Sequence, residues 1–177
     1  MRTIIAVSII TLVSAAAASA QAATGKFDAG MKPIAAQYAK VHKALAGDST
    51  KGVQAAAKKI AALAGKVNAK SVTGKHAKHY AGLPAKIKAA AVKLSEAKAI
   101  DKQRAAFKEL SRPLAMWVTM SKPAGFNVVF CSMAKGSWLQ VDKQIANPYY
   151  GAKMLRCGEV VVGKYKGTAG GHMQHGR

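Results

Sequence analysis

Six large apolar residues, Phe27, Met31, Ile34, Tyr38, Val41 and Leu45, recur in alternating steps of four and three. Only an α-helix, at 3.6 residues per turn, brings such a series onto one face, so this segment reads as an amphipathic helix with the stripe turned inward. Gly47 stops it, and Asp48 or Ser49 is placed to cap a second helix. The second stripe is Val53, Ala56, Ile60, Leu63 and Val67, ending near Asn68. So short a connection makes the two helices antiparallel neighbours. A third stripe, Tyr80, Leu83, Ile87, Ala91 and Leu94, contains Pro84, which has no N–H to give, and a break near Gly82-Leu83 accommodates it. A fourth helix starts at about Ile100 and turns Phe107, Leu110, Leu114 and Trp117 inward, bending at Pro113. The expected fold class is mainly α: an up-down four-helix bundle with a small C-terminal β or irregular segment packed on it.

The rest of these helices is largely alanine and lysine. Alanine buries little area, so the few large side chains must supply most of the roughly 25 cal/mol per Å² of apolar burial, with Trp117, Phe107 and Tyr38 at the centre. Glu96, Asp101 and Glu109 do not provide the paired inward carboxylates of a di-iron bundle. His76 and His79 have chelating spacing, though a solvated face is the plainer reading in so lysine-rich a segment, and His42 beside the first stripe reads as a packing residue.

Ahead of the first helix, Arg2 is followed by IIAVSIITLV and then by SAAAASAQAA. The apolar run is shorter than the roughly 20 residues of a membrane span, and the small residues offer an A-x-A cleavage site ending at Ala20 or Ala22. Residues 1–22 therefore read as a cleaved secretory signal, and a periplasmic protein without a transmembrane span in its mature form is expected. The chain then divides into an Ala/Lys-rich helical bundle (23–122), a Cys/Met-containing segment of the same domain (123–165) and a flexible His/Met tail (166–177).

Lysine and arginine number 28 against 7 acidic residues, a formal net charge of +21. The plain meaning is a solvated cationic face; the partners such a charge attracts are anionic membrane surfaces and polysaccharides. Export argues against nucleic acid, and so does the lack of base-stacking aromatics interleaved with the basic residues before Phe126.

After SKPAG the periodicity changes. Phe126 to Cys131, Trp138 to Val141 and Glu159 to Val162 are rich enough in β-branched and aromatic residues for three short strands. Both cysteines lie in this window. On a strand, Cys131 and Met133 would leave the same face, and on a helical turn so would Met154 and Cys157, giving two soft donor pairs. Thiolates and thioethers select Cu(I) or a similar ion such as Ag(I). In an oxidising compartment the competing reading is a Cys131–Cys157 disulfide, closing a loop of about 27 residues and contributing about 3.5 kcal/mol on the chain-entropy model. The tail adds His172, Met173 and His175, potential donors within four residues after a glycine-rich stretch. No nucleophile elbow, phosphate loop, zincin helix, dinucleotide fingerprint or C-x-x-C is present, so an enzyme is not expected.

The ordered run Cys131, Met133, Trp138-Leu139-Gln140, Asn147-Pro148-Tyr149-Tyr150-Gly151, Met154-Leu155 and Cys157-Gly158 resembles the signature of an exported bacterial family of formally unassigned function. Upstream, Arg104, Phe107, Leu110 and Ser111 resemble that family's final helix. Its members occur as small periplasmic proteins and as appendages on adaptor subunits of heavy-metal efflux pumps. Ser132 stands where the family often has proline, which leaves the sulfurs in place and loosens the turn between them. The resemblance implies heavy-metal homeostasis or efflux and pump components as partners. Spacing and compartment imply only the chemistry: soft-metal binding, or else a disulfide-stapled cationic protein that binds anionic envelope polymers or a protein partner.

Overall fold

The computed structural model describes residues 15–74 and 77–163, with side chains from residue 24 onward. Its helices are α1 (Ala15–Ala46), α2 (Val53–Ala64), α3 (Ala77–Ala81), α4 (Leu83–Glu96) and α5 (Ile100–Ser121); its strands are β1 (Asn127–Cys131), β2 (Gly136–Gln140) and β3 (Glu159–Val162). Short 3-10 turns sit at Ala69–Ser71 and Gly151–Met154. The protein is mainly helical with a small C-terminal antiparallel sheet, ordered β2-β1-β3.

All six residues of the first stripe are at most 1% exposed, and the inward residues expected on α4 and α5 are buried with them. Gly82 separates α3 from α4, and Pro84 occupies the first turn of α4, where its missing N–H costs nothing. α5 runs through Pro113 and α1 through Pro33. α1 packs on α2, α2 on α4, α4 on α5, and α5 touches α1 more lightly. Tyr38 and Phe107 stack at 4.6 Å between ring centroids, and the buried Trp117 donates to Asp28 Oδ1 at 2.7 Å.

Two expectations about α2 are corrected. The helix ends at Ala64, leaving Val67 half-buried beyond it, and Asn68 instead caps the 3-10 turn by accepting from the Lys70 amide. Neither Asp48 nor Ser49 caps it; the residue before its first turn is Gly52, with φ 78° and no side-chain cap. Six residues separate α1 from α2, too many for either side chain to reach across. Ser49 Oγ accepts from the Lys51 amide, and Asp48, itself at φ 54°, points its carboxylate elsewhere.

The strands fall close to where expected, with β3 coinciding. β1 pairs with β2 from Asn127↔Gln140 to Cys131↔Gly136, and on its other side with β3, through a bulge between Val128 and Val129. A chain of buried hydroxyls fastens this sheet to the helices. The Leu139 amide donates to Tyr38 Oη (3.1 Å), Tyr38 to Ser111 Oγ (2.7 Å), and Ser111 to the Phe107 carbonyl (2.8 Å). Burial raises the Tyr38 phenol well above its ordinary pKa, so it keeps the proton this chain needs. No helix among the described residues is long and apolar enough to cross a membrane. Of the expected secretory signal, residues 1–14 lie outside the described residues, and the bonds after Ala20 and Ala22 fall inside α1. His76 and the tail from residue 166 also lie outside the described residues.

Candidate functional site

Cys131 is the last residue of β1 and is 1% exposed; Cys157, half-buried, follows the second 3-10 turn. Because Phe130 pairs with Glu159, the chain entering β3 comes back beside the end of β1 and delivers Cys157 to Cys131. Both are free thiols, and their Sγ atoms stand 2.7 Å apart. That is within reach of a disulfide bond, about 2.05 Å, and two facing sulfurs can also open slightly to grip one soft ion. The Ala134 amide donates to Cys131 Sγ at 3.4 Å. Burial, then the hydrogen bond and charge of Cys131, push the Cys157 thiol up to about 11.

Buried polar contacts hold this meeting point. Asn147, with no exposed surface, donates from Nδ2 to the Cys157 carbonyl (2.9 Å) and accepts the Tyr149 amide at Oδ1 (2.8 Å). Its own amide donates to the Leu155 carbonyl at 2.8 Å. Gly158, at φ 148°, lets the Trp138 ring lie against the backbone, where a Cβ would come within 2.7 Å of it. Trp138 Nε1 donates to Gln140 Oε1, and Gln140 Nε2 donates to the Asp142 and Gln144 carbonyls, so the W-L-Q run organises the loop leading to Asn147. Tyr149 donates to the Ser137 carbonyl, and burial raises its pKa.

A second clamp reaches back to the helices. Arg104 on α5 donates to the carbonyls of Pro148 and Leu45 (3.1 Å each) and bridges Asp48 at 2.5 Å, while the other Asp48 oxygen accepts the Ala152 amide at 2.8 Å. The Ala152 amide, then Arg104, hold the Asp48 carboxyl below its ordinary pKa. Gly151, at φ 57°, lies against this pair so closely that a Cβ would collide with the Asp48 carboxylate. Lys108 donates to the Ala134 carbonyl at 2.5 Å, securing the β1–β2 turn.

The expected soft donors are not arranged as two equal pairs. β1 ends at Cys131, so Met133 is not on the strand face; it lies in the turn, 62% exposed, with its carbonyl accepting from Tyr150 Oη. Met154 is half-buried on the 3-10 turn, and its carbonyl accepts the Cys157 amide at 3.0 Å. What the fold joins is cysteine to cysteine. Among the described residues no three His, Cys, Asp or Glu side chains converge, and His172, Met173 and His175 lie outside the described residues. His42 is buried, 2.7 Å from the Ala146 carbonyl through Nε2, near-parallel to Trp138 at 6.5 Å, with its pKa lowered by burial. It packs, as the first stripe suggests.

A family model described as Protein of unknown function (DUF3347) matches residues 34–124, just over half of the chain. The chain belongs to the DUF3347 family. The DUF3347 match runs from within α1 past the end of α5 and stops before β1, so it covers the helices and not the thiols. No curated protein and no solved structure matches the chain. Lys108 is a supporting residue that the sequence does not single out, whereas Asn147 stands out there only within the signature and Asp48 only as a cap candidate. Asp48 carried a further signal as one of only seven acids in a strongly basic chain.

Proposed function

We propose that this is a non-enzymatic periplasmic protein, exported through residues 1–22, that captures a soft metal ion, Cu(I) first, at the Cys131–Cys157 dithiol. Met133 and Met154 serve as nearby thioether donors, and His172, Met173 and His175 form an outer relay. The observation that carries this reading is the approach of two cysteines, 26 residues apart in sequence, to 2.7 Å between sulfurs. Two thiols with thioethers in adjacent turns are a soft donor set that selects Cu(I) or Ag(I) over hard cations. Binding has to displace the Cys157 proton, held at a pKa of about 11, so uptake releases protons and strengthens as pH rises. The helices act as scaffold, in an up-down arrangement that supports the sheet from below. Resemblance to proteins appended to efflux-pump adaptors supports a place in heavy-metal homeostasis or efflux, with pump components as partners.

The second reading draws on the same separation: the two sulfurs close into a disulfide, and the cationic surface, formally +21, binds anionic envelope polymers or a protein partner. A thiolate cannot do both at once. Reduced, metal-free protein should hold one Cu(I) against a competing chelator, and the metal should protect both thiols from alkylation. Met133→Leu with Met154→Leu should weaken the binding while nearly conserving volume. The metal reading fails if protein with both thiols titratable does not compete for Cu(I), or if its affinity ignores both methionines. Resistance to alkylation as purified, lost on reduction, would favour the disulfide.

A further inference from the structure

A groove of about 490 Å³ runs between α4 and α5 and shares no residue with the thiol site. Its volume falls in the range of small-molecule pockets, roughly 300–1,000 Å³. The floor is apolar, formed by the buried Leu83, Ala90 and Pro113; small side chains facing a proline leave the recess unfilled. Met116 stands at its edge, 48% exposed, an unbranched thioether able to repack against an incoming chain.

Three cations, Lys86, Lys93 and Arg112, line the rim against one acid, Glu109. Lys93 already bridges that acid at 3.2 Å. The side chains of Lys86 and Arg112 make no hydrogen bond or ion pair among the described residues. The groove is also graded along its length. The Lys93–Glu109 bridge marks one end, while Leu83 and Met116 mark the other, about 15 Å away at 1.5 Å per helical residue along α4. Unmatched positive charge thus lies above an apolar trough, with Lys86 at the same end as the exposed thioether.

We propose that this groove binds a free monoacyl carboxylate, a fatty-acid anion of medium chain length, with its carboxylate held by Lys86 and Arg112 and its chain laid in the trough formed by Leu83, Ala90 and Pro113. A bare anion would leave the floor uncovered, a neutral hydrocarbon would leave the rim unmatched, and a cationic amphiphile would be repelled. Calorimetric titration of the full chain with dodecanoate, below its micelle-forming concentration, should show one saturable site. Acetate, with the charge and no chain, and dodecyltrimethylammonium, with the chain and opposite charge, should show none. Ala89→Trp fills the groove from an exposed rim position, and Arg112→Glu reverses the rim; each should weaken dodecanoate binding at least about tenfold. Lys58→Glu on the exposed side of α2, with the same change in net charge, should leave it within about twofold. The proposal is overturned by absent dodecanoate binding, by many ligands per chain, by indifference to Ala89→Trp, or by equal losses in Lys58→Glu and Arg112→Glu. That last result would mean general attraction to a cationic surface.

Discussion

Replacing Asn147 by alanine tests whether one buried amide holds Cys157 in front of Cys131. The substitution leaves the residue's backbone bonds to Leu155 and Gly151 intact and strips partners from two others, the Cys157 carbonyl and the Tyr149 amide. An orphaned buried group costs about 1–3 kcal/mol; because Cys157 and Tyr149 are only half-buried, the low end applies, and with a small cavity the loss should total about 2–3 kcal/mol. For a domain of this size that lowers Tm by about 5–10 °C. Urea unfolding of reduced protein, followed by far-UV circular dichroism, should show a lower midpoint at unchanged slope, and Cys157 should alkylate several-fold faster. Asn147→Asp sharpens the test. It keeps the acceptor for Tyr149 but sets a carboxylate oxygen against the Cys157 carbonyl, so near neutral pH it should be at least as damaging as alanine and recover partly in acid. A loss under about 0.5 kcal/mol for alanine, or an aspartate variant as stable as the parent, would refute the clamp.

Gly151→Ala forces a Cβ into the Asp48 carboxylate from a left-handed backbone and should cost about 2 kcal/mol or more in the same unfolding assay; a neutral result would mean that Arg104 and Asp48 do not pin this segment. His42, whose folded pKa is lowered, binds a proton more readily when unfolded, so its contribution is complete above pH ~6.5 and is lost as pH falls from there toward the folded value. Stability should therefore drop as pH falls below ~6.5, and His42→Gln should flatten that drop. Deleting residues 170–177 should leave helicity unchanged and slow copper uptake near neutral pH, with the difference vanishing near pH ~5, where imidazoles are protonated; identical uptake at both would remove the tail from the mechanism.

Much of the fold is legible in the sequence because its determinants are local and periodic. The stripe from Phe27 to Leu45, the break at Gly82 and the three strands follow from spacing, punctuation and β-branched content, each of which acts over a few residues. Local logic also explains the errors. Alternation carried past Cys131 would put Met133 on the strand face, but the pairing of Cys131 with Gly136 closes a hairpin there. Capping is the commonest local role of an aspartate or serine at the Asp48-Ser49 position, whereas here Arg104, 56 residues away, takes the Asp48 carboxylate.

The thiol site shows the same division. Sequence supplied two cysteines and two methionines in one window, and through them the choice between a soft ligand set and a disulfide. Which sulfurs meet was decided by tertiary structure alone: β3 had to pair with β1 rather than β2, and Asn147, Gly158 and the Arg104–Asp48 clamp had to bring Cys157 to the end of β1. Hydrophobic periodicity records which face of an element is buried, and so it survives in the linear chain. Strand order and the partners of buried polar groups depend on surfaces made only when distant segments pack, and no local pattern of residues encodes them.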